Sequence, residues 1–340
     1  MATQRRETTI RTPAVPPTSQ VRTPADADRP AGGRRLARHR RFTRHSPAGE
    51  VVLAYLDEQA ARLAALDLAV RRDKPDSVHQ MRVTVRRLRA ALQSFTGIVP
   101  ETKTRRLRAE LKWLGGVLGD ARDTEVLTDQ LHAGLAALPA ELVIGPAQAR
   151  ISVDFAAQEA GTRQAVLDAL DSERYRALRA ELSRLLDSPP LTAEAAEPAG
   201  KVLPRAVGRT YRRAAKRMRR ARRAPEGEAR DVALHETRKA AKRARYAAEA
   251  AAPALGKKTG RKARRFAKRM KNVQSVLGAH QDAVIARSTA RDVGVHAHLA
   301  GENAFSFGLL HERAHHQALA CQRQSHRAWK RARKSRGWLG

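Results

Sequence analysis

The chain has 340 residues, room for one large or two modest domains with real cores. Lys and Arg number 67 against 34 Asp and Glu, a net charge of +33, while hydrophobic residues make up 42% and aromatics only 4%. That balance attracts polyanions, with DNA, RNA, an anionic membrane surface or an inorganic or acidic polymer as candidates among which net charge alone does not choose, and it points to an Ala, Leu and Val interior of closely packed helices.

Residues 1–45 are rich in Arg, Thr, Pro and Ala, with Thr12-Pro13, Val15-Pro16-Pro17 and Arg34-Arg35, and read as a disordered basic arm. Met1 to Arg11 lacks an apolar signal core, so a cytoplasmic protein is expected. From Glu50 the apolar residues Val52, Leu53, Leu56, Leu63, Leu66 and Val70 recur at helical spacing up to Lys74-Pro75. A second helix is expected over 77–96, with Ser77 as N-cap and Gly97 as stop, and a third over 101–118, ending at Gly119. Further helices follow from Asp120 to Pro139, over 147–170 and on to Leu186. Ser188-Pro189-Pro190 and the Ala/Glu-rich stretch to Gly200 read as a linker.

The second half repeats the order, with helices to Arg223 and over 230–252, 258–277, 280–297 and 302–334, then a short tail over 335–340. No β-hairpin signal and no run of about 18 apolar residues occurs, which argues against strands and a membrane-spanning helix. Cys321 has no partner for a disulfide or thiolate cluster. The expected fold class is all-α, two similar helical bundles over 46–190 and 191–334.

Two blocks match between the halves. Val78-His79-Gln80-Met81-Arg82-Val83-Thr84-Val85-Arg86-Arg87-Leu88-Arg89 aligns without gaps on Leu234-His235-Glu236-Thr237-Arg238-Lys239-Ala240-Ala241-Lys242-Arg243-Ala244-Arg245. Lys112 to Gly119 followed by Asp123 aligns on Lys271 to Gly278 followed by Asp282, in the same order. Small-alphabet helices can resemble one another by accident, but two blocks in one order mark a duplication. With the histidine at zero on a helix, the bases at +3, +7 and +10 fall at about 300°, 340° and 280°, beside a core stripe of Val78, Met81, Val85, Leu88 and Leu92 at about 180° to 260°. Acids that would pair these bases are nearly missing: none lies between Val78 and Leu92, and only Glu236 lies between Leu234 and Tyr246. Unpaired guanidinium groups held together repel, and a fold tolerates that best when an anion neutralises them.

In these residues the sequence resembles the CHAD family, the conserved histidine α-helical domain, over about residues 46–330. The marks are His79 with Arg82, Arg86, Arg87 and Arg89, then Leu118-Gly119 with Arg122-Asp123; in the second repeat they are His235 with Arg238, Lys242, Arg243, Arg245, Tyr246 and Glu249, then Leu277-Gly278 with Asp282. The resemblance implies two pseudo-symmetric antiparallel bundles around a central basic groove or channel, binding of inorganic polyphosphate, and association with polyphosphate granules. The expected contacts are His79, Arg82, Arg86, Arg87, Arg89, Lys112 and Arg122, with His235, Arg238, Lys239, Lys242, Arg243, Arg245 and Lys271. The halves depart from each other where Val83 stands against Lys239 and Arg122 against Gln281. The triphosphate-tunnel domain of the CYTH type that often precedes this family, marked by a Glu-x-Glu-x-Lys strand, is not visible.

Polyphosphate offers repeating anionic oxygens and no bases, so its site needs Arg and Lys donors at helical intervals and little stacking surface. No catalytic group, cofactor or metal is required. Asp123 and Asp282 read as helix caps or braces for a nearby Arg, and the histidines at 296, 298, 311, 315 and 316 as a polar helix face with a Zn or Ni site as the alternative. Two other readings stand. A nucleic-acid binder would suit the basic arm but lacks a helix-turn-helix, RRM or zinc-finger signature; a phosphate-ester or polyphosphate hydrolase would use His79 and His235 as bases.

Overall fold

The structure, a computed structural model, describes residues 41–339. The basic arm falls mostly outside the described residues. The described residues form nine α-helices: α1 (Ala48–Arg71), α2 (Ser77–Ser94), α3 (Glu101–Ala136), α4 (Ala147–Asp171), α5 (Glu173–Asp187), α6 (Ala199–Arg223), α7 (Glu228–Ala251), α8 (Gly256–Leu299) and α9 (Phe305–Arg333). The described residues contain no strand, only an isolated bridge between Pro47 and Pro198. The fold is all-α, as composition and periodicity require.

The duplication is visible in the helix order. α1 to α4 correspond to α6 to α9, with long α3 and α8 in the same place, and α5 is an extra helix at the join. Ser188 to Gly200 does not hang free. It forms a short turn whose Ala195 is buried, Thr192 donates from its N–H to the Ile98 carbonyl and from Oγ1 to the Gly97 carbonyl at 2.5 Å, and Ala48 and Ala199 exchange backbone bonds with Glu197 and Ser46. The segment expected as a tail places Trp338 edge-on against Phe266, ring centroids 5.9 Å apart.

Two expected breaks are absent. Gly119-Asp120 and Gly278-Ala279 lie inside continuous helices, so the pairs of helices expected there are the single helices α3 and α8. A side chain on Gly119 would stand 3.3 Å from the Arg82 guanidinium, and one on Gly278 3.5 Å from that of Arg238. Gly119 thus makes room for a neighbouring helix's arginine, while at Gly278 a side chain would meet the arginine in ordinary contact; neither glycine ends its helix. At the start of α2, Asp76 holds the cap position in a left-handed conformation with φ 60°, and Ser77 is the first helical residue.

The main core draws on both halves. Leu56, Met81, Leu88, Leu111 and Leu118 from the first join Leu203, Ala241, Phe266, Met270 and Leu277 from the second. A smaller core at the far ends of α3, α4, α8 and α9 contains Leu131, Ile151, Val293 and Phe307. Leu118 and Leu277 are the last residues of the long helices in the main core, so Gly119 and Gly278 sit where α3 and α8 leave it. Truncating Phe266, fully buried against Tyr211 and Trp338, is expected to cost about 3–5 kcal/mol of global stability by chemical denaturation. Phe307→Ala should instead accelerate amide exchange mainly at the far helix ends, and a uniform acceleration in Phe307→Ala would contradict the division into two cores.

Candidate functional site

α2 and α7, the two helices of the matching block, pack against each other. Their buried stripes differ in kind: α2 uses Met81, Val85 and Leu88, whereas α7 uses Ala240, Ala241, Ala244, Ala247 and Ala248. Alanines bring the α7 backbone close, and the bases flanking each stripe are thereby pressed into one cluster with two ends.

At one end stand Arg82, Arg86, Arg238 and Lys242, with the carboxylates of Asp123 and Asp282. Arg82 donates from both Nη atoms to the two oxygens of Asp123, at 2.8 and 3.0 Å. Arg238 lies over Gly278, as Arg82 does over Gly119. Burial, with Arg86, Arg238 and Arg82 adding to it, pushes the Lys242 ammonium down to about 7. The same burial, followed by Tyr246 pulling the other way, leaves Arg86 below its ordinary value. Asp282 is held above the usual carboxylate range because burial outweighs its cationic neighbours.

At the other end burial and the guanidinium groups of Arg217, Arg213, Arg89 and Arg108 push Arg243 down to about 10. Between the ends, Glu249 bridges the halves: it accepts from Arg245 Nε at 2.7 Å and from Arg87 Nη2 at 3.4 Å. The guanidiniums of Arg87 and Arg245 both lie over the Tyr246 ring, 5.7 and 5.1 Å from its centroid, and the buried Tyr55 hydroxyl of α1 sits beside them. Several polar nitrogens remain unspent: among the described residues the Nε donors of Arg86, Arg87, Arg89 and Arg238 and the Nδ1 atoms of His79 and His235 are buried with no protein partner. Unsatisfied buried donors are costly, and several converging on cations favour an anion.

The two histidines flank this cluster. Burial lowers both, ahead of the charges around them: Asp76 raises His79 while Arg86, Arg122 and Arg82 lower it, and Lys239 and Arg238 lower His235. His79 and Arg122 also line a cavity of about 510 Å³ between the start of α2, α3 and α4. Of the other expected contacts, Arg122 pairs with Glu125 and the exposed Lys239 with Glu236. The asymmetry between the halves is thus muted, since each extra cation has a local acid, and Gln281 is a neutral partner within hydrogen-bonding reach of His235. Lys112 and Lys271 are exposed on α3 and α8 and make no polar contact with the cluster. Arg108 joins it without having been singled out in the sequence, whereas Arg213 and Arg217 belong to the basic runs Arg212-Arg213 and Lys216-Arg217, which as sequence suit either phosphate contact or a solvated face. Arg108 was traceable: it lies three turns before Gly119 on one stripe of α3.

Four of the five later histidines have ordinary partners, and His298 is exposed. His296 faces Asp154 at 3.2 Å, His311 the Arg287 carbonyl at 2.9 Å, His315 the Arg287 guanidinium at 3.1 Å and His316 Glu312 at 2.9 Å. No group of three metal-ligating side chains converges among the described residues.

Comparison with known proteins follows the same lines. The family model described as CHAD domain matches residues 54–291. Two Mycobacterium tuberculosis proteins, Rv2226 of strain H37Rv and MT2285 of strain CDC 1551 / Oshkosh, are each 36% identical over 280 residues, 82% of this chain and 52% of theirs, so the chain spans about half their length. Among solved structures, the CHAD domain from the plant Ricinus communis superposes with a TM-score of 0.66 at 25% identity, covering 86% of this chain and 93% of that one. PptA from Streptomyces chartreusis superposes with a TM-score of 0.67 at 22% identity, covering 84% of this chain and all of that one, a likeness of fold.

In the free protein both His79 and His235 are expected to titrate below the ordinary 6.5, and a saturating polyanion should move both upward, because an adjacent anion favours the imidazolium. Ring-proton NMR titration checks this; values unmoved by the polyanion would remove the histidines from the site.

Proposed function

The chain belongs to the CHAD domain family, and on that footing we propose that it binds inorganic polyphosphate in a groove between α2 and α7, as a non-enzymatic cytoplasmic protein associated with polyphosphate granules. The observation that carries the reading is the merging of the two basic blocks into one cluster whose buried Nε and Nδ1 atoms lack protein partners. A phosphate chain matches such a row of donors: guanidinium forks grip its oxygens in pairs, Lys242 and the histidines add charge as it arrives, and released counterions supply much of the affinity. The aromatic rings of the cluster, Tyr55 and Tyr246, are taken up by packing and by Arg87 and Arg245, so a nucleobase finds no stacking surface there.

Arg86 and Arg238 test the site better than Arg82, which is already spent on Asp123. Arg86→Gln with Arg238→Gln is expected to weaken long-chain polyphosphate at least tenfold and to flatten the dependence of log K on log salt by about two, one per lost cation. Unchanged affinity and slope would place the binding elsewhere. Incubation of the protein with polyphosphate should release no orthophosphate; release would make it a hydrolase.

Affinity should also depend on pH. Lys242 titrates near 7 in the free fold, below its ordinary 10.5, and a bound anion raises it again. Binding therefore takes up protons and tightens as pH falls from about 9 to 7, below which the Lys242 contribution levels off. Calorimetry in buffers of differing ionisation enthalpy measures that uptake. Lys242→Gln should flatten the profile over this window, and a wild-type affinity constant from pH 9 to 7 would contradict the assignment.

A further inference from the structure

A second cationic site lies away from the α2–α7 cluster, between the C-terminal halves of α6 and α9. A cavity of about 390 Å³ opens there, within the roughly 300–1,000 Å³ typical of small-molecule sites. Its floor is apolar and aromatic: Tyr211 and Met218 are buried, and the half-buried Trp329 stacks on Tyr211 with ring centroids 5.8 Å apart and planes 7° from parallel. Its rim is Arg219, Arg222, Lys330, Arg333 and Arg336. Among the described residues none of these five makes an ion pair or side-chain hydrogen bond, and no acidic residue lines the cavity.

The contrast with the first cluster defines the ligand. There, acids are shared among the bases and the aromatic rings are covered by guanidiniums; here, unpaired cations surround an aromatic floor. A bare phosphate chain would satisfy the rim and leave the floor wet. An uncharged ring would fill the floor and leave the rim unused. Burial and the nearby Arg222 and Arg230 lower His326 at the edge.

We propose that this cavity binds a nucleoside phosphate, its base against the half-buried Trp329, which Tyr211 backs by stacking, and its phosphate on Arg222, Arg333 and their neighbours. The same chemistry can reach the site as a free mononucleotide or as one unit of a single-stranded nucleic acid. The proposal is independent of polyphosphate binding by α2 and α7, and its failure leaves that reading untouched.

The test uses the full chain. Adenosine monophosphate and ribose 5-phosphate are titrated separately, with Trp fluorescence and calorimetry as readouts. Stacking of the base is expected to make adenosine monophosphate bind about tenfold tighter or more. Arg222→Gln with Arg333→Gln, both exposed, should remove that binding with the melting temperature unchanged, while Arg86→Gln with Arg238→Gln should leave it intact. If a short single-stranded oligonucleotide displaces adenosine monophosphate and shows the same dependence on Arg222 and Arg333, the proposal stands with nucleic acid as the source; if only the mononucleotide does so, it stands with the free nucleotide. Equal affinity for the two small phosphates, or binding lost in the Arg86/Arg238 variant but kept in the Arg222/Arg333 variant, would overturn it.

Discussion

Repulsion among guanidinium groups that cannot move apart is the constraint on which this structure turns. Two unit charges 4 Å apart at an effective dielectric near 20 interact by about 4 kcal/mol, a large share of the roughly 5–15 kcal/mol by which a domain is stable. The bases of α2 and α7 are nevertheless pressed together, because the apolar stripes beside them are bound into one core. Three carboxylates temper the cost. Asp123 takes a two-pronged bond from Arg82, Glu249 joins Arg87 to Arg245 across the halves, and Asp282 sits buried beside Arg238 and Lys242. Burial, with the repulsion they leave over adding to it, lowers the proton affinity of Lys242, Arg243 and both histidines, and buried nitrogens of the cluster stay without a protein partner.

The rest of the architecture serves this arrangement. Long α3 and α8 leave the main core at Leu118-Gly119 and Leu277-Gly278, where Arg82 and Arg238 come against the helices that carry Asp123 and Asp282, tightly enough at Gly119 that a side chain would press on Arg82. Alanine does the corresponding work on α7, where larger residues would hold α2 away. A phosphate chain entering such a site would relieve repulsion already present in the folded protein, so part of its affinity is stored in the free state. The halves approach equivalence because Arg122 and Lys239, the cations each has beyond the other, are paired with Glu125 and Glu236.

Much of this was legible in the residues. The duplication, the helical class and the sharing of a face by His79, Arg82 and Arg86 follow from spacing alone, since a 3.6-residue period fixes which side chains are neighbours. The run of α3 and α8 through Gly119 and Gly278 was not legible. A glycine that stops a helix and one that admits a neighbour's arginine look the same until the partner helix is in place. Arg213 and Arg217 were half legible for a related reason: their basic runs on α6 suit either phosphate contact or a solvated face, and only tertiary packing brings them to Arg243. Conversely, Lys112 and Lys271 match between the repeats yet stay in solvent, because alignment reports position and says nothing of reach.

A structure of the protein with a short polyphosphate chain bound would test the central claim most directly. The account predicts phosphate oxygens within hydrogen-bonding distance of Arg86 on α2 and of Arg238 and Lys242 on α7 in the same molecule. A chain seated on α6 and α9 alone, with the α2–α7 donors still unpartnered, would contradict it.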